Sequence, residues 1–267
     1  MGAIELHARP SKDFDAKLAE TVALLQRAAA KYSPVTQASS LGAEDVVITH
    51  LINHLELDIS VFVLDTGMLH PQTLELLERT RATSRAPVHV YKPVQESVIE
   101  FVGREGKEAM YRSIDLRKAC CQIRKMEPLG RALEGQRAWL TGLRREQSNA
   151  RAEVPLVDTS DEAATGRVKF NPLANWTWGD VWHYIRMYGV AYNPLHDEFF
   201  PSIGCEPCTR AISLGEDFRA GRWWWEDEAA KECGLHVKDA PQAGSAPTPV
   251  RAEPVETSEN QSEQATV

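Results

Sequence analysis

Short apolar runs that stop at small polar clusters, each followed by a helix-period stretch, restrict the fold of this chain most. Ser-Val-Phe-Val-Leu at 60–64 reads as a buried strand ending at Asp65-Thr66-Gly67. Residues 35–38 form a second run, closed by Ser39-Ser40-Leu41-Gly42. Residues 88–91 and 138–141 are two more, the last meeting Gly142. Helical spacing fills the gaps. Residues 13–32 place Phe14, Leu18, Val22 and Leu25 on one face, 44–57 repeat the pattern, and 71–85 open on Pro71, which suits a first turn. Alternation of this kind predicts an α/β fold, a parallel twisted sheet flanked by helices. Such sheets bind ligands beyond the carboxyl ends of their strands, so the candidate loops begin at Ser39, Asp65 and Thr141. The strand order is not readable.

Beyond residue 150 the pattern changes. Thr177-Trp178-Gly179-Asp180 has the form of a capping box opening a helix through Met187, and 199–208 is a Pro- and Gly-punctuated loop. Residues 239–267 carry Asp239 and four glutamates against Arg251 alone, with almost no large apolar side chain, and read as a disordered tail. Half of the net charge of −8 sits there. An acidic chain argues against nucleic-acid binding by bulk electrostatics. No apolar run reaches the length of a membrane span and no signal-peptide core opens the chain, so a cytoplasmic protein is expected. Assembly into a homo-oligomer stays open.

Five cysteines fit a reducing compartment, where thiols serve metals or catalysis. Four form two pairs, Cys120-Cys121 and Cys205-Glu206-Pro207-Cys208, with 83 residues between them. The two-residue spacer lets both thiolates of the second pair address one metal centre. Adjacent cysteines on a helix diverge by about 100°, which suits the separated ligand positions of a multi-iron cluster. A lone Cys-Cys would read as buried apolar residues; with the second pair, a metal site is favoured. Spacing alone leaves zinc and iron–sulfur comparable.

Three blocks then carry a resemblance. Cys120-Cys121-Gln122-Ile123-Arg124-Lys125, Ile203-Gly204-Cys205-Glu206-Pro207-Cys208-Thr209 and Glu232-Cys233-Gly234-Leu235-His236 look like the signatures of the adenylyl-sulfate reductases, a branch of the phosphoadenylyl/adenylyl-sulfate reductase family. The likeness spans residues 35–237. It implies an adenine-nucleotide hydrolase-like fold over residues 1–238, in which 217–238 form a mobile catalytic segment. It also implies a [4Fe–4S] cluster on Cys120, Cys121, Cys205 and Cys208, Cys233 as nucleophile with His236 beside it, and Lys125 between substrate and cluster. The phosphoadenylyl-sulfate reductases usually keep the Glu-Cys-Gly-Leu-His block but lack the pairs.

Ser39, Ser40 and Gly42, at a strand end before a helix, resemble a phosphate loop, although an ordinary capped turn has the same residues. Leu41 and Ala43 replace the glycines of the pyrophosphate-releasing form, and no Ser follows Asp45, which argues against ATP cleavage. Asp65, Thr66 and Gly67 resemble the second nucleotide loop. Arg144, Arg145 and Arg151 are candidates for phosphate or sulfate, as are Arg219 and Arg222 ahead of Trp223-Trp224-Trp225. As plain chemistry each arginine could be solvated surface. His50 and His54 have a metal-compatible spacing but lack a third ligand.

The resemblance implies reduction of adenylyl sulfate to sulfite and AMP through a Cys233 S-sulfocysteine, discharged by thioredoxin or a glutaredoxin-like donor. The alternatives are a phosphoadenylyl-sulfate reductase, an ATP-dependent thiolation or amidation ligase, and a non-catalytic zinc protein.

Overall fold

The computed structural model describes residues 2–213 and 215–226. The expectations placed on Cys233, His236 and the tail lie outside the described residues.

Helices α1 (Ala3–His7), α2 (Phe14–Tyr32), α3 (Ala43–His54), α4 (Pro71–Thr83), α5 (Gln95–Glu105), α6 (Ile114–Cys121), α7 (Glu127–Leu133), α8 (Glu162–Thr165) and α9 (Trp178–Tyr188) surround one sheet. Its strands are β1 (Val35–Ser39), β2 (Ser60–Leu64), β3 (Val88–Tyr91), β4 (Ala138–Leu140), β5 (Val157–Asp158) and β6 (Val168–Phe170). The order is β3-β2-β1-β4-β6-β5. Every neighbouring pair is parallel except β5 with β6.

The parallel sheet flanked by helices is the one expected above, with a single antiparallel strand added at its edge. Only residues 159–167 connect β5 to β6, fewer than the dozen or so a parallel crossover needs. The chain returns through the short α8 and through Gly166 at φ 69°, a left-handed position that suits glycine.

The sheet is buried on both faces. Val47, Ile48 and Ile52 of α3 and Leu25 of α2 pack with Val61, Leu140 and Phe170 of the strands. The Thr177 box forms as its spacing predicts: Asp180 N donates to Thr177 Oγ1 at 3.0 Å, and Thr177 N donates to Asp180 Oδ2 at 2.9 Å. Capping places Trp182 and Ile185 of α9 in the core, where both are fully buried.

From β1 the chain runs outward to β2 and β3 on one side, and the later strands lie on the other. The β1/β4 boundary is therefore the switch point, where two strand-end loops diverge and leave a crevice. Helices α6 and α7 run on through a π-helical turn at Gln122–Met126. The wider turn slips the side-chain register once, directly after Cys120-Cys121.

Candidate active site

A cleft of about 200 Å³ opens at the carboxyl ends of β1, β2 and β4. Ser39, Ser40 and Gly42 line one wall, Thr66 and Leu69 a second, and Thr141 and Gly142 a third. Buried Leu41 holds φ 61°, uncommon for a non-glycine residue, and turns the chain from β1 into α3. Asp45 holds that turn by accepting from Ser40 N at 2.6 Å and Ser40 Oγ at 2.7 Å. Burial pushes its carboxyl up to about 6. Gly142 must be glycine, because a Cβ there would stand 2.9 Å from Glu44 Cβ and closer still to Asp45 Oδ1. At the switch point the Gly142 backbone thus lies directly against the Glu44 and Asp45 side chains.

A buried relay extends from this contact. Glu44 accepts from Arg144 Nε and from Gln147 Nε2, both at 2.9 Å, and Gln147 Oε1 accepts from Arg151 at 2.7 Å. Of the three arginines expected to hold an anion here, only Arg151 is among the lining residues. Arg144 is fully buried and turned onto Glu44 and Glu146, so it orders the loop that carries Arg151. Arg145 points elsewhere, donating to Asn175 Oδ1 at 2.6 Å and Val154 O at 2.9 Å. Asp65 and Gly67 also stand off the lining. Asp65 accepts from Gly67 N at 3.0 Å and pairs with Lys92 at 3.3 Å, shaping the turn that presents Thr66.

The two cysteine pairs meet beside the cleft. Cys120, Cys121, Cys205 and Cys208 line one small enclosed space together with Arg117, Arg124, Lys125 and Trp223. Cys205 is brought there by a bridge between Leu69 and Cys205 and by Glu206 N donating to Met68 O at 2.8 Å. Thr66 Oγ1 and Cys205 Sγ share a hydrogen bond of 3.2 Å. No disulfide joins these four cysteines. Burial pushes the Cys208 thiol up to about 11 and raises Cys120 as well. Thiolates at these positions need compensating positive charge, from a metal centre or from the neighbouring cations.

Among the described residues, no three Cys, His, Asp or Glu side chains form a group suited to a single metal ion. A cluster differs, because its four thiolates bind at four separate irons. Four thiols around one space, apolar Phe101 and Met110 packed with them, and cations at the rim fit that group by donor type and charge.

Lys125, Cys205 and Trp223 line both the cysteine space and the cleft, and so form the wall between them. Arg219 and Arg222 complete the cationic end, both buried. Arg222 crosses Gly204 so closely that a Cβ there would lie 2.5 Å from Cζ. The cleft is therefore lined by Lys125, Arg219 and Arg222 at one end and by Arg151 on the β4 loop. It is shaped for an anion carried on a largely apolar body, which Phe62, Val63 and Trp139 would flank.

Sequence reading missed Arg117, Glu226 and His196. Arg117 is one helical turn before the cysteine pair, a spacing that could have singled it out. Glu226 follows three tryptophans with no local signal. His196 lines the cleft from a 3₁₀ turn; its Nδ1 lies 2.7 Å from Phe200 O, and burial drives its pKa down to about 4.

The sheet order, the switch-point cleft and the cationic wall define an α/β nucleotide-type binding protein. Residues 34–211 match the family model described as the phosphoadenosine phosphosulfate reductase domain, and the chain belongs to that family. It is 48% identical to the adenosine 5'-phosphosulfate reductase of Allochromatium vinosum, over 85% of this chain and 89% of the relative. It is 49% identical to the protein of the same name from Burkholderia cepacia, over 83% and 88%. Among solved structures, the phosphoadenylyl-sulfate reductase of Candida auris superposes with a TM-score of 0.60 at 28% identity, covering 76% of this chain and 98% of that one. The FMN adenylyltransferase of Candida glabrata, at 12% identity and a TM-score of 0.52, shares the fold alone; the alignment covers 86% of this chain and 79% of that one. Among the described residues no helix is long and apolar enough to cross a membrane.

Proposed function

We propose that this chain reduces adenylyl sulfate to sulfite and AMP, with Cys233 as nucleophile and a [4Fe–4S] cluster on Cys120, Cys121, Cys205 and Cys208. The observation that carries the reading is the shared wall: Lys125 lines both the strand-end cleft and a space lined by four thiols. The names of the relatives support the substrate. Phosphoadenylyl sulfate is the weaker choice, since the solved reductase of that name is 28% identical and the curated adenosine 5'-phosphosulfate reductases 48% and 49%.

In this reading the Ser39–Gly42 turn and Thr66 hold the nucleotide. Lys125, Arg151, Arg219 and Arg222 neutralise the phosphosulfate and the charge that grows on the departing oxygen. The Cys233 thiolate attacks the sulfate sulfur, an S–S bond forms, and the S–O bond breaks with its electron pair leaving on AMP. His236 assists by favouring the thiolate. Cys233 then carries a sulfonate. A thiolate of a dithiol protein, thioredoxin or a glutaredoxin-like donor, attacks the Cys233 sulfur, and sulfite departs with the S–S electron pair. The donor's second thiol resolves the mixed disulfide, so the dithiol supplies both electrons. When bound, the cluster supplies structure and negative charge beside Lys125. A dithiol donor and cysteines kept as thiols support a cytoplasmic setting for this reading.

Reduced protein mixed with adenylyl sulfate and no dithiol should release one AMP per site, stop, and gain one sulfonate on the peptide containing Cys233. Thioredoxin should discharge that group as sulfite. Cys233→Ser should give neither product. An adduct on another cysteine, or sulfite without an adduct, would sink the proposal.

A further inference from the structure

The last described residues are held more firmly than a surface loop requires. Glu226, at the end, makes a two-pronged pair with Arg117: Nε donates to Oε1 and Nη2 to Oε2, both at 2.8 Å. The two side chains are 1% and 3% exposed, so the pair is fully desolvated. Two guanidiniums lie over the Trp223 ring, Arg117 at 4.6 Å and Arg222 at 4.7 Å from its centroid. Trp223 N donates to Cys208 O at 3.2 Å. Arg117 also hydrogen-bonds to Cys121, one turn further along α6. One arginine therefore joins the first cysteine pair, the tryptophan and the glutamate.

A buried ion pair is an inefficient source of stability, because desolvation offsets most of its attraction. Its forked geometry does supply direction, fixing both position and heading of the chain at residue 226. Cys233 lies seven residues after Glu226, and fully extended those seven steps reach at most about 24 Å. We infer that Arg117 and Glu226 form a latch that sets the origin of the Cys233 segment and ties that origin to the cysteine site. Both are positioning residues, acting through the placement of Cys233 and touching neither substrate nor the reacting sulfur. The inference rests on the reading of Cys233 as nucleophile.

Without the latch, the next backbone tie upstream is Trp223 N to Cys208 O. The tether to Cys233 then grows from seven residues to ten. For a flexible tether that lowers the thiol's local concentration by a factor of roughly 1.7, and losing the fixed heading slows attack further.

The test uses full-length, iron-loaded protein carrying Glu226→Gln, with Glu226→Asp as the conservative partner. Hydrogen exchange of amides 222–226, measured without substrate, should rise at least roughly tenfold in the Gln variant and less in the Asp variant. The single-turnover rate of adduct formation at saturating adenylyl sulfate should fall at least about twofold, with KM and iron content unchanged. Inserting Gly-Ser-Gly-Ser after Glu226 should slow the adduct step without raising exchange at 222–226. Combined with Glu226→Gln, its effect should be less than additive. Unchanged exchange, a wild-type single-turnover rate, a raised KM at unchanged rate, or iron loss in both Glu226 variants would each overturn the latch. If Cys233→Ser still forms an adduct, the nucleophile reading fails while the exchange data continue to report on the latch itself.

Discussion

The β1/β4 end of the cleft and the cysteine space at its other end draw on different numbers of chain segments. At the first, two strand-end loops meet. Asp45 closes the Ser40 turn, Gly142 admits the loop contact, and Glu44 accepts from Arg144 and Gln147 across it. At the second, four segments converge, from Thr66, Arg117–Lys125, Cys205–Cys208 and Arg219–Glu226. Backbone bridges at Cys205 and Thr209 and the buried Arg117–Glu226 pair hold them together. The first region should tolerate loss of any metal centre, and the second should not.

Replacement of single cysteines is the largest way to break that contrast. Cys120, Cys121, Cys205 or Cys208 changed to Ser should each abolish stable iron binding and turnover, since an alkoxide is a poor substitute for thiolate. Nucleotide binding at the Ser39–Gly42 and Thr141–Gly142 loops should persist, measured as AMP affinity within about threefold of wild type, with the largest loss in Cys205→Ser, whose thiol lies beside Thr66. A variant with full iron content and rate would remove that cysteine from the ligand set. Lost AMP binding would show that the two regions are one structural unit.

Gly142→Ala attacks the other end. The added methyl would meet Glu44 and Asp45 inside an already closed contact, so the β4 loop must withdraw from the β1 loop. Affinity for AMP should fall about tenfold or more and stability by about 1–3 kcal/mol, while iron content stays that of the wild type. Calorimetric binding and iron analysis on one preparation read both. Unchanged affinity would mean the anion does not sit against this loop.

The contrast between regions also explains what the sequence made legible. Strands β1 to β4 and helices α2, α3, α4 and α9 follow from local periodicity, turn residues and a capping box, so Ser60–Leu64 and Val88–Tyr91 coincide with their sequence ranges. The loops at Ser39, Thr66 and Thr141 were likewise visible, being strand ends. Direction of side chains was not. Arg144 and Arg145 sit at the expected strand end, but whether a guanidinium faces the cleft depends on Glu44, 100 residues away, and on Asn175, 30 away. The strand β5 has only two residues and no periodicity to read, so its reversal came from a connection length and not from a pattern. Arg117 and Glu226 were illegible for the same reason as Arg144: their meaning is a pairing across 109 residues.

The smallest effect concerns pH, and it sharpens the picture of the cleft as lined by two buried titratable groups whose protons pull stability in opposite directions. Asp45 is raised to about 6 by burial, above its usual 3.8, so the folded protein binds more protons than the unfolded chain between those values. Its contribution to stability therefore falls as pH rises from about 4 to 6. His196 is lowered to about 4 from 6.5, again by burial, so there the unfolded chain binds more protons and stability rises over nearly the same interval. The two slopes oppose each other and largely cancel, leaving the rise with pH that His7, His50 and His70 add, since burial lowers all three as well. Removing one partner uncovers the other. Asp45→Asn should show a steeper rise in melting temperature than the wild type through this window, because His196 is no longer opposed. His196→Asn should shift the slope the other way, each difference from the wild type reaching at most about 3 kcal/mol across the interval. Thermal melts at constant ionic strength decide it. If both variants keep the wild-type profile, neither group titrates as its burial requires, and water reaches this end of the cleft in the folded protein.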